Sequence, residues 1–456
     1  MKEYLKRLPP NMLELIEAAQ VVAQDFNYKA YLVGGFVRDL ILGVNNLDLD
    51  IAVEGEGIKF AEALAEKLNG KIISHKRFGT ATITVNPHLK IDPSTPSFDK
   101  LRTSSEQSRG TLRVNGERSR TIDIATTRKE FYREPGSLPL VNKGGLKDDL
   151  SRRDFTINTL VISLNRENFG QLLDLFAGKS DILRGKVRIL HNLSFLDDPT
   201  RILRAVRFEQ RYDFKIDSET LKRLKEAVEL KMLFAVSPQR LRDELILMLK
   251  EKEPLKALKR LDELAGLGFI SPGLKLSGKT EKYLELIHNH VQWFKAKFTS
   301  HRHLDSWLVY LAGLMEGLDQ EHVQAVCDRF VFRKGEKKRI LDFFLIRDKL
   351  ISILSRPGLK PSSVFHLLEP LSYEVILLLK AAARNKRVSV HIENFFHVYH
   401  GTGITLRGHD LNGLGFVPGP HYQKIFRRVL NAKLNGKVKT TQEELEFVRK
   451  IKERNI

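Results

Sequence analysis

The chain has 456 residues, enough for about three structural units at roughly 150 residues each. With 76 Lys and Arg against 56 Asp and Glu its formal net charge is +20, which favours a polyanionic partner because each neutralised phosphate releases condensed counterions. The single cysteine, Cys327, excludes an intramolecular disulfide and a cysteine-built zinc site. The opening MKEYLKRLPPNMLELIEAAQ lacks the apolar core of a signal peptide, and no stretch approaches the ~18 apolar residues of a membrane span. A soluble, cytoplasmic protein with no membrane partner is expected.

Apolar residues at helical spacing predict a helix over 11–25. KAYLVGG is a short β-rich run ending in two glycines, and VRDLILG is helical again. LDLDIAV (47–53) alternates like a strand, and IKFAEALAEKLNG (58–70) reads as a helix stopped by Gly70. KIISHKRFGTATITV (71–85) reads as one or two strands. Residues 93–121, rich in Ser, Arg, Pro and Gly, break the pattern between Ile91-Asp92 and Ile122-Asp123. They read as a surface loop inserted into a β-hairpin, with a basic RNA-contacting arm as the alternative. Beyond about residue 165 the strand signals fade, and 200–265, 278–300, 305–354 and 361–385 carry helical spacing. GHDLNGLGFVPGPHYQKIFRRVLNAKLNG (408–436) leads from a Gly/Pro-punctuated turn into a basic helix. The expected class is α+β, a β-sheet head followed by a long helical remainder.

Chemistry concentrates in four segments. Asp48 and Asp50, two apart on a strand, share a face, the spacing that lets both hold divalent cations for in-line phosphoryl transfer. Upstream, Gly34 and Gly35 mark a strand-to-helix turn where backbone N–H groups can approach a triphosphate, with Arg38 one helical turn on. The expected third carboxylate is Asp123, which IATTRKEFY follows directly, with Asp92 in the other Ile-Asp pair as its rival. In DDLSRRDFTINTL, Arg152 and Arg153 suit phosphates, while Asp154 and Asn158 suit ribose hydroxyls. In FLDDPTRILRAVRF, Asp198 and Arg201 stand three apart on a helix opened by Pro199, an acceptor beside a fork of donors, and Arg204 and Arg207 continue the basic side. The one His-Asp pair, His409-Asp410, lacks a supporting His/Asp set, and His288, His290, His301 and His303 read as a polar helix end.

The glycine turn and paired aspartates resemble the nucleotidyltransferase fold of the DNA polymerase β superfamily. The ordered run LVGGFVRDLILG, DLDIAV, IDIATTR, DDLSRRDFTIN, LLDLFAGKSDILRGKVRIL, DDPTRILRAVRF and SPQRLRDEL, over about 28–250, resembles the class II, bacterial-type tRNA nucleotidyltransferases, which are CCA-adding enzymes and poly(A) polymerases. The resemblance implies a head at 1–163, a base-reading neck at 164–255 and a tRNA-binding body and tail at 256–456. It implies that Asp48 and Asp50 bind catalytic Mg²⁺, that Arg153, Asp154 and Asn158 hold the nucleotide's sugar and phosphates, and that Asp198 and Arg201 select cytosine and adenine. It implies CTP, ATP and the tRNA acceptor arm as partners, leaving the oligomeric state open. Asp197 stands where relatives often carry Glu, and Gln239 where an acidic residue is common. KEFYREPGSLPLVNKGGLKDD, between Arg128 and Leu150, is long enough for the flexible loop associated with adding A. CCA addition leads; A addition alone, poly(A) synthesis and a non-catalytic RNA-binding scaffold are the alternatives.

Overall fold

The structure, a computed structural model, describes residues 5–6, 8–44, 48–76, 79–85, 113–114, 117–118, 120–131, 136, 139–298 and 303–453. Asp92 and most of the expected 93–121 insertion lie outside the described residues. The chain separates into two compact units, Met1–Glu244 and Leu245–Ile456.

In the first unit the strands are β1 (Lys29–Val33), β2 (Leu49–Glu54), β3 (Lys71–His75), β4 (Thr80–Val85), β5 (Arg120–Thr126), β6 (Val161–Ser163) and β7 (Leu172–Leu173), with strict alternation of burial in β4 and near-continuous burial in the central β1 and β6. They make one sheet in the order β7-β6-β1-β2-β5-β4-β3. The sheet therefore draws on the chain beyond residue 165, where strand signals fade: Leu172–Leu173 is too short to show a period. The β2–β5 pair is parallel and its other neighbours antiparallel. β4 and β5 meet with Val85 opposite Arg120, so the chain between them does divide a hairpin.

Helices α1 (Pro10–Asp25), α2 (Gly35–Leu42) and α3 (Gly57–Lys67) follow the predicted amphipathic spacing. α1 and α3 pack on each other and on the sheet, burying Ile16, Phe60 and Leu64 with Leu49, Ile51 and Val53 of β2. Gly70 does not supply the left-handed residue that ends α3; Asn69 does, at φ 46°. Asn69 N–H donates to the Glu66 carbonyl and Gly70 N–H to the Ala65 carbonyl at 2.8 Å, closing the turn as a Schellman motif. On the other face of the sheet Tyr31, Val33, Ala52 and Val161 pack beneath Leu146 and Leu150 of α4 (Leu146–Ser151). α5 (Arg201–Tyr212) and Pro238–Leu249 supply the helical side chains of the site.

The second unit is helical throughout its described elements. Tyr373–Ala382, buried from Glu374 to Ala381, packs against Gly278–Lys297, Ser306–Leu314 and Lys334–Leu354. A smaller core of Leu406, Leu411, Ile425, Val429 and Val448 joins the last three helices. Among the described residues no single helix is long and apolar enough to cross a membrane.

Candidate active site

The site starts at the end of β1. Gly34 caps α2 with φ 69°, a left-handed conformation that glycine adopts without a Cβ penalty. A Cβ there would stand 3.0 Å from Arg153 Nη1 and 3.5 Å from Asp50 Oδ2. The glycine turn, the second aspartate and the arginine of SRRDF, far apart in sequence, are thus packed together.

β2 and β5 run parallel with Asp50 opposite Asp123, so the two carboxylates share the face that carries Ala52. Asp48 immediately precedes β2 and is exposed. Burial, then the Asp123 charge, pushes the Asp50 carboxyl up to about 6 against the pull of Arg153; Asp48 adds to the rise. Thr82 of β4, opposite Asp123, donates its hydroxyl to Asp123 Oδ1 at 2.5 Å. Among the described residues there is no ready-made cluster of three or more His, Cys, Asp or Glu ligands. Three mutually repelling carboxylates, one of them partly desolvated, are nonetheless the oxygen donors that a hard divalent cation takes.

Arginines line the other side. Asp149, 2% exposed, accepts from Arg153 Nη2 at 3.0 Å and from Arg152 Nη2 at 2.5 Å. Burial opposes its charge, but the two guanidiniums hold its carboxyl below the usual range. Arg153 Nε is buried without a hydrogen-bond partner. Asp154 Oδ1 accepts from Asn158 Nδ2 at 2.8 Å, and its Oδ2 accepts from Arg204 Nε at 2.8 Å. Burial again works against the charge, and the Arg204 cation outweighs it, keeping Asp154 ionised. Arg204 and Arg207 both reach Glu244, at 3.1 and 3.2 Å.

These groups open into a cleft of about 740 Å³ lined by Gly34, Gly35, Arg38, Asp50, Arg153, Asp154, Asn158, Asp198, Arg201 and Arg204, among others. Asp48 and Asp123 lie outside that lining. The expected helical pairing of Asp198 with Arg201 is replaced by other bonds. α5 begins at Arg201, and Asp198 is extended, at φ −139° and ψ 91°, because Pro199 disfavours helical geometry in the residue before it. Asp198 pairs with Arg240 Nη2 at 2.7 Å and accepts from the Thr200 hydroxyl at 2.6 Å. Arg201, 4% exposed, donates to Ser194 Oγ at 2.6 Å and to the Arg152 carbonyl at 2.7 Å. Arg240 and Thr82 are the neighbours that sequence reasoning missed. Thr82 had a signal, the polar alternation of TATITV; nothing in the spacing tied Arg240 to Asp198.

The chain matches the family model "Poly A polymerase head domain" over residues 30–108 and 95–188, and "Probable RNA and SrmB- binding site of polymerase A" over 213–276. It is 35% identical over 445 residues to an A-adding tRNA nucleotidyltransferase of Geobacter sulfurreducens, covering 96% of this chain and 47% of that protein. The chain thus spans about half the length of that relative. It is 28% identical to the A-adding tRNA nucleotidyltransferase of Halalkalibacterium halodurans, covering 96% and 92%. Among solved structures, a Thermotoga maritima CCA-adding enzyme complexed with tRNA superposes with TM-score 0.67 at 31% identity, covering 98% of this chain and 97% of that one. Related CCA-adding enzyme structures hold ATP, at 31% identity, and CTP, at 30%. With a polymerase-β-like sheet head and a helical remainder, the chain belongs to the tRNA nucleotidyltransferase and poly(A) polymerase family.

Proposed function

We propose that this chain is a template-independent nucleotidyltransferase that builds the CCA end of tRNA from CTP and ATP in the cytoplasm. The observation that carries the reading is the packing of Gly34, Asp50 and Arg153 together in the lining of one arginine-rich cleft. The head at 1–163 performs the transfer, the neck at 164–255 reads the base, and the body and tail at 256–456 hold the tRNA acceptor arm.

The family works with divalent metal ions. Mg²⁺ held by Asp48 and Asp50, with Asp123 beside them, would activate the RNA 3′-hydroxyl and offset the charge of the departing pyrophosphate. The chain's own residues do the rest. Gly34 and Gly35 let the backbone N–H groups that open α2 approach the triphosphate, since no side chain covers them. Arg153 meets the phosphates from beside Asp50, and Arg38 backs the same wall. Asp154, kept ionised by Arg204, orients Asn158 so that both face the ribose. Asp198 and Arg201 at the head of α5 read the Watson–Crick edge of the base, their orientations held by Arg240 and Ser194. The protein serves as its own template.

A second reading, addition of the terminal A alone, is favoured by the names of the two relatives above. Extension of one tRNA transcript ending at the discriminator base, at C or at CC, offered CTP, ATP or both with Mg²⁺, separates the two. CCA followed by a halt supports the full activity, and a single A added only to the CC end supports the specialist. Long A tails indicate poly(A) synthesis. Chelation of the metal or Asp50→Asn should lower addition by ~10³-fold or more while tRNA binding and melting temperature hold. Failure of the wild-type chain to extend any transcript, with tRNA still bound, would leave an RNA-binding scaffold.

A further inference from the structure

The bonds around Arg38 close into a ring that begins and ends on α5. Arg38 donates from Nε to Asp39 Oδ1 at 2.8 Å and from Nη1 to Asn158 Oδ1 at 2.6 Å. Asn158 donates to Asp154, and Asp154 accepts from Arg204 on the first turn of α5. From the last residue of α5, Tyr212 returns the ring to its start, its hydroxyl donating to Asp39 Oδ1 at 2.9 Å. The Arg38 guanidinium also stacks 4.7 Å from the Tyr212 ring centroid and 5.1 Å from that of Phe208. Asp39 is 0% exposed, and Arg38, Asp154 and Asn158 are all buried. Burial raises the Tyr212 hydroxyl above its ordinary value, so it stays a donor.

This ring grips α5 near both ends, by Asp39 of α2 at Tyr212 and by Asp154, itself braced by Asn158, at Arg204. Arg201 and the neighbouring Asp198 line the cleft, whereas Tyr212 and Asp39 do not. A helix is stiff, and the ~16 Å from Tyr212 to Arg201 makes a lever in which a tilt of a few degrees moves the cleft end by about 1 Å. Misplacement of up to that size costs no more than about 10²-fold where groups must be aligned, so a partial tilt is enough for a several-fold loss of base recognition.

We propose that Tyr212 and Asp39 are positioning residues for nucleotide selection. Their bond sets the tilt of α5 against the glycine turn, and so the register between the base-reading end at Asp198 and Arg201 and the carboxylate at Asp50. The inference rests on the reading given under Proposed function and deepens it, since it concerns how that same site chooses its base.

The test uses the full chain, a tRNA transcript ending in CC, and ATP or CTP at varied concentration. Tyr212→Phe keeps the ring and its stacking on Arg38 and removes one O–H. We expect KM for ATP to rise about 5- to 10-fold and the preference for ATP over CTP to fall by a similar factor, with kcat within about 2-fold. Asp39→Ala removes the acceptor that Tyr212 shares with Arg38, so the same loss of selection should come with a lower melting temperature, whereas Asp39→Asn keeps an acceptor oxygen and should stay within about 2-fold of wild type in ATP preference. Melting temperatures recorded alongside separate loss of folded protein from loss of selection. An unchanged KM and ATP preference in Tyr212→Phe, or in Asp39→Ala should the first not fold, overturns the proposal. So does a loss of activity that merely tracks a loss of folded protein. A wild-type chain that adds no nucleotide overturns the parent reading instead, and this one with it.

Discussion

A methyl group at Gly34 would meet Arg153 and Asp50 at once, so the smallest side chain in the site is the one least open to change. Its neighbours are charged groups whose states are set by burial and by one another: Asp50 pushed up, Asp149 and Asp154 held down. The second unit contains a similar case away from the cleft. Lys380, 5% exposed, pairs with Glu393 at 2.8 Å and lies 4.0 Å over the Trp293 ring. Burial, then the Lys380 cation, pushes the His290 imidazole down to about 4, with Glu393 pulling the other way. Because that value lies below the ~6.5 of an unfolded chain, the unfolded state takes up the proton first. The stability that neutral His290 provides is present above about pH 6.5 and is lost as pH falls toward 4. Denaturant unfolding at pH 7 and pH 4.5 should show a loss of stability that His290→Gln makes smaller, by an amount that solvent screening at this half-buried ring keeps modest. Both tryptophans, Trp293 and Trp307, lie in this unit, so their fluorescence reads it directly, and an identical pH response in the variant would exclude His290 as the cause.

At the scale of elements, the hairpin β4–β5 and helix α5 were legible to different degrees. Alternation in TATITV and TIDIAT, with Ile-Asp on both sides of a polar stretch, was enough to pair the two strands across it. The structure places Val85 opposite Arg120, and Asp123 opposite both Thr82 and Asp50. Continuing that register, an Asn-Gly turn in place of residues 87–118 spans the two strands. The shortened chain should melt within about 3 °C of the parent and keep its nucleotide addition. A selective loss of tRNA affinity would instead assign the segment an RNA-contacting role. The start of α5 was misjudged because spacing alone cannot tell a helical i, i+3 pair from two residues on either side of a helix boundary. Pro199 and the competing cation of Arg240 decided it, and Arg240 comes from a helix whose approach is a tertiary fact.

Over the whole molecule, the +20 charge is the property that sets how a polyanion is met. Contacts to phosphates release counterions, so tRNA affinity should fall at least ~10²-fold between roughly 50 and 200 mM salt, with a far smaller change in KM for ATP. Filter binding at graded salt checks this, and a flat response would mean that the basic surface does not carry the RNA. Composition and hydropathy periods determined by themselves the α+β class and the sheet head ahead of a helical remainder, because strand and helix periods and turn residues are local properties of the chain, while the ordered motifs carried the resemblance to the family. The segments that meet at the cleft were legible in the same way, since each carries its polar group within a few residues. The bonds between those segments were decided only by the tertiary structure: Arg153 beside Gly34, Asp198 on Arg240, and Tyr212 closing a ring through Asp39 to Arg38 and Arg204. Such bonds depend on where rigid elements come to rest against one another, a consequence of packing across the sheet that no local spacing encodes.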